Sequence, residues 1–325
     1  MDHYQRSNLN YFSAGGLDRA TQLRPKDAWL QARLADAATR IVPVWRMQNL
    51  LCGDVMPLPV LLSPMQLRDV GVDCANAVLL GTRAEVAYFA LDLAGDETPL
   101  ERLVPAGASF RELRDVGPLL DADAGSLLAY ARAITYWHAR HRHCGDCGSP
   151  TRVAEGGHLR VCAAPRCGQK HFPRTDPAII VLVVHPGGLG DEERCLLGRQ
   201  REWPETLYSA VAGFVEPGES LEDAVVREVA EETGIGVSAV HYHSSQPWPF
   251  PSSIMLGFTA TARDARIVRH DDELADARWF SRTDIVEALA HGRLRVARRV
   301  SIAYRLLEDW FDAGRLGPLA GYLGE

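Results

Sequence analysis

The clearest periodicity in the chain runs from Asp121 to His141. There Leu127, Leu128, Ala131, Ile134, Thr135 and His138 return every three or four residues and predict a helix with one apolar face. A second helix is expected from Leu221 to Thr233. Pro217 and Gly218 form a turn ahead of it, Ser220 can cap it with Asp223 as an imperfect capping-box partner, and Gly234 ends it. The uninterrupted apolar run AIIVLVV, Ala178 to Val184, has the length and pattern of a buried strand. Further strands are expected near Cys195 to Leu197, Leu256 to Thr261 and Ala277 to Phe280, with a closing helix around Val300 to Trp310. Before residue 100, a helical stretch from Asp27 to Ile41 and strand-like runs at Ala77 to Leu80 and Val86 to Leu91 predict a small α+β domain. The prolines of HFPRTDP, His171 to Pro177, fix φ and donate no N–H, so they mark a boundary. Three blocks follow: an N-terminal α+β domain over 1–139, a cysteine-rich segment over 140–176 and an α/β domain over 177–325.

Composition narrows the class. No stretch approaches eighteen uninterrupted apolar residues, so a membrane span is not expected. The opening MDHYQRSNLNYF lacks the apolar core of a secretory signal, which points to a reducing cytoplasm and makes disulfides unexpected. With 42 acidic against 35 basic residues, the formal charge of -7 gives an extended DNA-wrapping surface little support.

Four of the seven cysteines crowd together. Two residues separate Cys144 from Cys147, fourteen separate Cys147 from Cys162, and four separate Cys162 from Cys167. That spacing suits two knuckles closing on one tetrahedral ion. Soft thiolates select Zn²⁺, and a full set of four leaves no open position, so the site is expected to be structural. Arg142, Arg152, Arg160, Arg166, Lys170 and Arg174 surround it and are read as offsetting the residual charge of about -2, with nucleic-acid contact as the alternative.

The helix after Ser220 carries the chemistry. At 100° per residue, Glu228, Glu231 and Glu232 share a sector with Leu221, Ala224 and Val225, so the acids lie on or beside the apolar face. Carboxylates placed so closely raise one another's pKa and pay for desolvation unless a cation joins them, and Arg227 alone cannot neutralise three. Oxygen ligands of this kind call for Mg²⁺ or Mn²⁺.

The stretch Gly213 to Ile235, with Gly213, Glu219, Arg227, Glu228, Val229, Glu231, Glu232, Gly234 and Ile235 at their required spacings, resembles the signature of the Nudix hydrolases. The resemblance implies an α/β/α sandwich that holds divalent ions against a diphosphate. It implies Glu228 and Glu232 as metal ligands, Glu231 as ligand or base, and the Ala212 carbonyl as a further contact. Arg227 would orient the carboxylates and Glu219 would support the loop and helix. A later acid is expected from HDDELADARWF, where Glu273 is the position chosen.

Downstream, SQPWPFPSSIM alternates prolines with Trp248 and Phe250, a stiff extended backbone that presents flat rings or packs them inward. The string resembles the SQPWPFP element of the NADH pyrophosphatase branch of the Nudix hydrolases, which also carries a four-cysteine zinc ribbon. That resemblance implies dinucleotide contacts from Gln246, Pro247, Trp248, Pro249, Phe250, Pro251, Ser252 and Ser253. It implies base stacking by Phe172 and Phe214, a ligand contact by Arg111 in SFRELR, and a carbonyl near metal and substrate at Ala303. The expected activity is metal-dependent hydrolysis of the pyrophosphate of NAD(H) to NMN(H) and AMP by a homodimer. The same site could remove NAD caps from RNA, and a non-catalytic dinucleotide sensor of the same fold is the alternative of a different class.

Overall fold

The computed structural model describes residues 1–13, 15–95, 100–187, 192–269 and 273–323. The chain gathers into two compact units. An N-terminal unit holds Phe12–Thr175 and Trp248–Ser252, and a C-terminal unit holds Met1–Tyr11, Asp176–Pro247 and the residues from Ser253 onward. The opening helix α1 (His3–Leu9) packs within the C-terminal unit, where Asn10 Nδ2 donates to Ser244 Oγ at 3.1 Å and to the Ser245 carbonyl at 2.9 Å.

In the N-terminal unit, α2 (Asp27–Ala35) stops at Asp36, and the residues expected to continue the helix turn into β1 (Arg40–Trp45). The continuous run Ile41 to Val44 suits a strand buried on both faces, and tertiary pairing decides it. After it come β2 (Gln48–Cys52), β3 (Leu58–Pro59), α3 (Pro64–Asp69), β4 (Val78–Arg83) and β5 (Val86–Asp92). The short α4 (Leu100–Leu103), then β6 (Ala108–Arg111) and α5 (Leu113–Val116), lead into α6 (Ala122–Arg140). Asp121 caps α6 by accepting from Ala124 N, so the predicted long helix starts where its periodicity begins. The cysteine segment forms a three-stranded sheet of β7 (Thr151–Ala154), β8 (Leu159–Cys162) and β9 (Lys170–His171).

The C-terminal unit is built on β10 (Asp176–His185), which contains the predicted apolar run. Around it lie β11 (Arg194–Gln200), β12 (Leu207–Tyr208), β13 (Val211–Phe214), α7 (Leu221–Thr233), β14 (Val237–Trp248), β15 (Ser253–Ala262) and β16 (Leu274–Ser281). The chain closes with α8 (Arg282–Ala290), β17 (Arg295–Val296), which pairs with β12, and α9 (Ile302–Asp312). The main sheet has the order β14, β15, β10, β11, β16, with β13 also paired to β10. Ile179, Val181 and Val183 pack with Val225 and Val229 of α7, whereas Ile180 and Leu182 pack with Leu306 and Leu307 of α9. One strand thus feeds two cores, and the result is an α/β/α sandwich. Among the described residues no helix is long and apolar enough to cross a membrane.

The two units follow one plan. In each, a central strand pairs in parallel with a later strand (β1 with β5, β10 with β15) and antiparallel with its successor (β2, β11). The successor pairs antiparallel with the last strand of the same sheet (β6, β16), and the last long helix (α6, α9) packs on the parallel pair. The difference lies before the parallel partner's hairpin. The C-terminal unit places the 13-residue α7 there, and the N-terminal unit has the six-residue α3, PMQLRD, with no glutamate.

Two histidines give the N-terminal unit a pH dependence. His138 Nε2 and His158 Nε2 each donate to a carbonyl, of Gly157 and Leu79 respectively, at 2.7 Å. Burial, the largest cause, brings each down to about 4. The unfolded chain takes up these protons near pH 6.5 and the folded chain only near 4. Stability is therefore full above 6.5 and falls as pH drops toward 4, by about 1.4 kcal/mol per pH unit for each histidine. Urea midpoints followed at the buried Trp137 are expected to fall between pH 7.5 and 5, and a double His→Gln variant should flatten that dependence. An unchanged midpoint in the parent would contradict the assignment.

Candidate active site

The helix α7 begins at Leu221 and ends at Gly234, as its local signals predict. Ser220 Oγ accepts from Asp223 N at 3.1 Å and donates to Asp223 Oδ2 at 2.8 Å, while Gly234 takes the left-handed conformation at φ 70°. These caps set the rotation of the helix and so the direction of its acids. Glu232 is 2% exposed, the Glu228 side chain 12%, and that of Glu231 55%.

Arg227 organises the cluster. Its Nε and Nη2 donate to the two oxygens of Glu219 at 2.5 and 2.9 Å, and Nη1 donates to Glu228 at 2.9 Å and Glu231 at 3.0 Å. Nη2 also donates to the Phe214 carbonyl at 2.9 Å, so all five N–H groups are used. A lysine offers three donors from a single point and cannot reproduce this fork. The hydrogen bonds from Arg227 are the largest cause holding Glu219 down to about 2, and the bond to Glu219 leads in raising Arg227 above its usual value. Glu219 also accepts from Glu216 N at 2.9 Å, which ties the turn to the helix.

Glu228 titrates in the opposite direction. Burial raises its pKa first, and Glu231 and Glu273 add repulsion that the Arg227 contacts only partly offset. Glu273 is thus close enough to act on Glu228, although Asp271 and Asp272 beside it lie outside the described residues. Under Glu228 lies Gly213 of β13, and any Cβ built there would overlap the Glu228 carboxyl group. The glycine is therefore required by close approach, and the carboxylate sits in a cradle cut for it. A shielded carboxylate repelled by two more exposed acids, with one guanidinium shared, suits a hard divalent cation.

The other expected residues are dispersed. Ala212 pairs with Ile180, and its side chain packs toward the core that contains Ala303, near the start of α9. Phe214 (61% exposed) and Phe172 (54% exposed) each present a free ring, one in each unit. Arg111 reaches the Gly53 carbonyl at 2.9 Å and Asp54 at 3.8 Å.

The SQPWPFP element is not a polyproline segment. Its first half ends β14 and the remainder is the turn into β15. Gln246 is fully buried, donating to the Tyr11 and Val300 carbonyls and accepting from Ile302 N at 2.7 Å. Its side chain is committed to holding this strand to α9. Pro249 is buried, and its carbonyl accepts from Arg132 Nε at 2.8 Å. Trp248 and Phe250 are half-buried with ring centroids 5.0 Å apart, Phe12 stands 5.7 Å from Phe250, and Arg114 and Arg132 lie over the Phe250 ring at 4.8 and 4.9 Å. Pro247 and Pro251 are exposed, Ser252 is half-buried, and Ser253 pairs with Asp176.

The four cysteine sulfurs come together, all within 4.8 Å of one another. Cys144 and Cys167 are 3.8 Å apart and Cys147 and Cys162 3.4 Å, against an edge of about 3.8 Å for a tetrahedron of Zn–S bonds of about 2.3 Å. Hydrogen bonds from Ser149 are the main reason that Cys147 falls to about 6, which favours its thiolate. His171 Nε2 lies 3.3 Å from Cys144 Sγ, a ligand-supporting contact absent from the sequence reading.

Comparison with known proteins places these features. Residues 175–300 match the NUDIX domain, residues 38–137 an NADH pyrophosphatase-like rudimentary NUDIX domain, and residues 139–172 the NADH pyrophosphatase zinc ribbon domain. The rudimentary match agrees with the shared plan of the two units. The NAD-capped RNA hydrolase NUDT12 of Macaca fascicularis is 34% identical, over 95% of this chain and 74% of its own length. The NAD-capped RNA hydrolase NudC of Stutzerimonas stutzeri is 42% identical, over 71% of this chain and 75% of its own. A NUDIX hydrolase structure from Nitrosomonas europaea aligns at 21% identity and TM-score 0.42, covering 55% of this chain and 94% of that one.

Proposed function

We propose, from the premise that the chain belongs to the Nudix hydrolase family and carries its NADH pyrophosphatase-type zinc ribbon, that it hydrolyses the pyrophosphate of NAD(H) to NMN(H) and AMP and removes NAD caps from RNA. The observation that carries the reading is Glu228 seated over Gly213, repelled by Glu231 and Glu273 and bonded with Glu231 to the shared Arg227.

Glu228 and Glu232, the Ala212 and Ala303 carbonyls and Glu273 are the groups assigned to hold Mg²⁺ or Mn²⁺. When bound, such ions neutralise diphosphate oxygens and lower the pKa of an attacking water. Arg227 keeps two carboxylates in fixed rotamers, so little reorganisation is left for the reaction. Glu231, the most exposed of the three and also bonded to Arg227 Nη1, is assigned as ligand or base. Phe172 and Phe214 offer flat faces to a base, the Pro247 to Ser253 element and Arg111 complete the proposed dinucleotide contacts, with Gln246 holding that element in place from the interior, and the four thiolates hold one structural Zn²⁺. Thiolate ligands suit a reducing, cytoplasmic setting. A homodimer belongs to the same proposal and is checked by light scattering.

The test is product chromatography with NADH, NAD, ADP-ribose and NAD-capped RNA, each with Mg²⁺ or Mn²⁺. Release of AMP and NMN(H) from NADH, and of NMN from capped RNA, is expected. If neither substrate is cleaved with either ion, the proposal fails. An RNA-body contact would weaken as salt rises, whereas cleavage of free NADH would change little.

A further inference from the structure

Away from the carboxylate helix, the N-terminal unit contains a cavity of about 500 Å³. It opens between the β4–β5 region, α6 and the cysteine segment, and its volume is that of a small-molecule site. Val78, Leu91 and Val153 supply apolar wall, and Arg142, Arg160 and His138 line the polar side.

Arg160 is the informative residue. It is 9% exposed, and it donates to Thr151 Oγ1, the Thr151 carbonyl and His138 Nδ1 at 2.7, 3.0 and 2.9 Å. All three acceptors are neutral. His138 uses its Nε2 proton on the Gly157 carbonyl, so its Nδ1 is a lone pair and the ring brings no charge. Among the described residues no carboxylate pairs with Arg160, and the hydrogen bond to a cysteine sulfur comes from His171. Apart from the longer-range charge of the neighbouring thiolate site, this buried guanidinium has no anionic partner, and such a group is costly. Arg142, exposed at the same cavity, adds a second positive charge that acts on Arg160. Asp92 is the lining acid, and it is already accepting from Ala94 N at 3.0 Å.

We propose that this cavity binds a small organic phosphomonoester of nucleotide size, with the phosphate at Arg160 and Arg142 and the body against Val78, Leu91 and Val153. Guanidinium forks match phosphate oxygens bidentately, and the walls accept an apolar or aromatic ring. The proposal is independent of the reaction assigned above, because it uses no residue of the carboxylate cluster.

The experiment is isothermal titration of the zinc-loaded Glu228→Gln/Glu232→Gln protein, without added Mg²⁺ or Mn²⁺, using AMP, NMN, inorganic phosphate and a 5′-phosphorylated RNA oligomer as separate probes. These substitutions remove ion-dependent binding at the carboxylate helix. AMP or NMN is expected to bind once per chain, more tightly than inorganic phosphate. Arg142→Glu, at an exposed position, should weaken that binding at least about tenfold by reversing a contact charge. Ala139→Trp, placed to fill the cavity from its exposed rim, should remove it while the circular dichroism stays unchanged. Binding that survives both variants overturns the proposal, as does the absence of AMP and NMN binding, equal affinity for inorganic phosphate, or binding of the RNA alone.

Discussion

Glu228→Gln is expected to lower kcat for NADH hydrolysis on the order of a thousandfold while leaving the fold intact. Glutamine keeps the shape of the side chain and removes the charge. The loss should therefore fall on ion binding and transition-state stabilisation, not on packing. Stability should hold or rise slightly, because Glu228 is a carboxylate whose ionised form is disfavoured by burial and by Glu231 and Glu273. Arg227 would still be anchored bidentately by Glu219. Gly213→Ala should reproduce the catalytic defect without touching any acid, since its Cβ would occupy the space of the Glu228 carboxyl group. Glu222→Gln, an exposed acid in the first turn of the same helix, is the control and should retain activity. Rates measured across Mn²⁺ concentrations with melting temperatures would decide the matter. Wild-type turnover in both Glu228→Gln and Gly213→Ala would refute the assignment of this cluster to catalysis.

Removal of zinc should unfold the cysteine segment. Its three strands are two to four residues long, and Cys144, Leu159 and Cys162 are the buried hydrophobic residues of the segment. So little apolar surface cannot offset the conformational entropy of ordering thirty residues, roughly 1 to 2 kcal/mol for each backbone unit. Ion binding must supply the difference, on the order of 10 kcal/mol for structural zinc sites. A strong chelator, or Cys162→Ser, is expected to release one zinc per chain and abolish amide protection over 142–172. Protection in α7 should persist. Hydrogen exchange with metal analysis gives the readout, and a segment that stays protected after complete zinc loss would show that its fold does not depend on the ion.

Much of the candidate site was legible before any coordinates because its determinants are local. Ser220 and Gly234 act within one helical turn of the acids they orient, and the cysteine knuckles act within a few residues of each sulfur pair. The rest depends on partners far along the chain. The helical reading of Asp27 to Ile41 gave way to β1 because Ile41 and Val42 pair with Phe89 and Ala90. β14 escaped detection because its alternation is filled by His, Ser and Gln, whose burial depends on contacts such as Asn10 with Ser244. Gln246 and Phe250 read as ligand-facing from the motif, yet their surroundings engage them with Ile302 N and with Arg114 and Arg132.

The amino-acid order by itself determined a helix that must carry its glutamates on the apolar side and a loop that must bring four thiols together. Both follow from short-range spacing, a helical turn for the acids and the stretch from Cys144 to Cys167 for the thiols, which side-chain chemistry specifies without help. The tertiary structure decided which long-range partners each polar group meets. It laid α1 against the C-terminal unit, set Gly213 beneath Glu228, left the buried Arg160 bonded only to neutral acceptors, and repeated one strand plan in two units whose sequences share no visible repeat. Those outcomes depend on burial and pairing between distant segments, and periodicity carries no record of them.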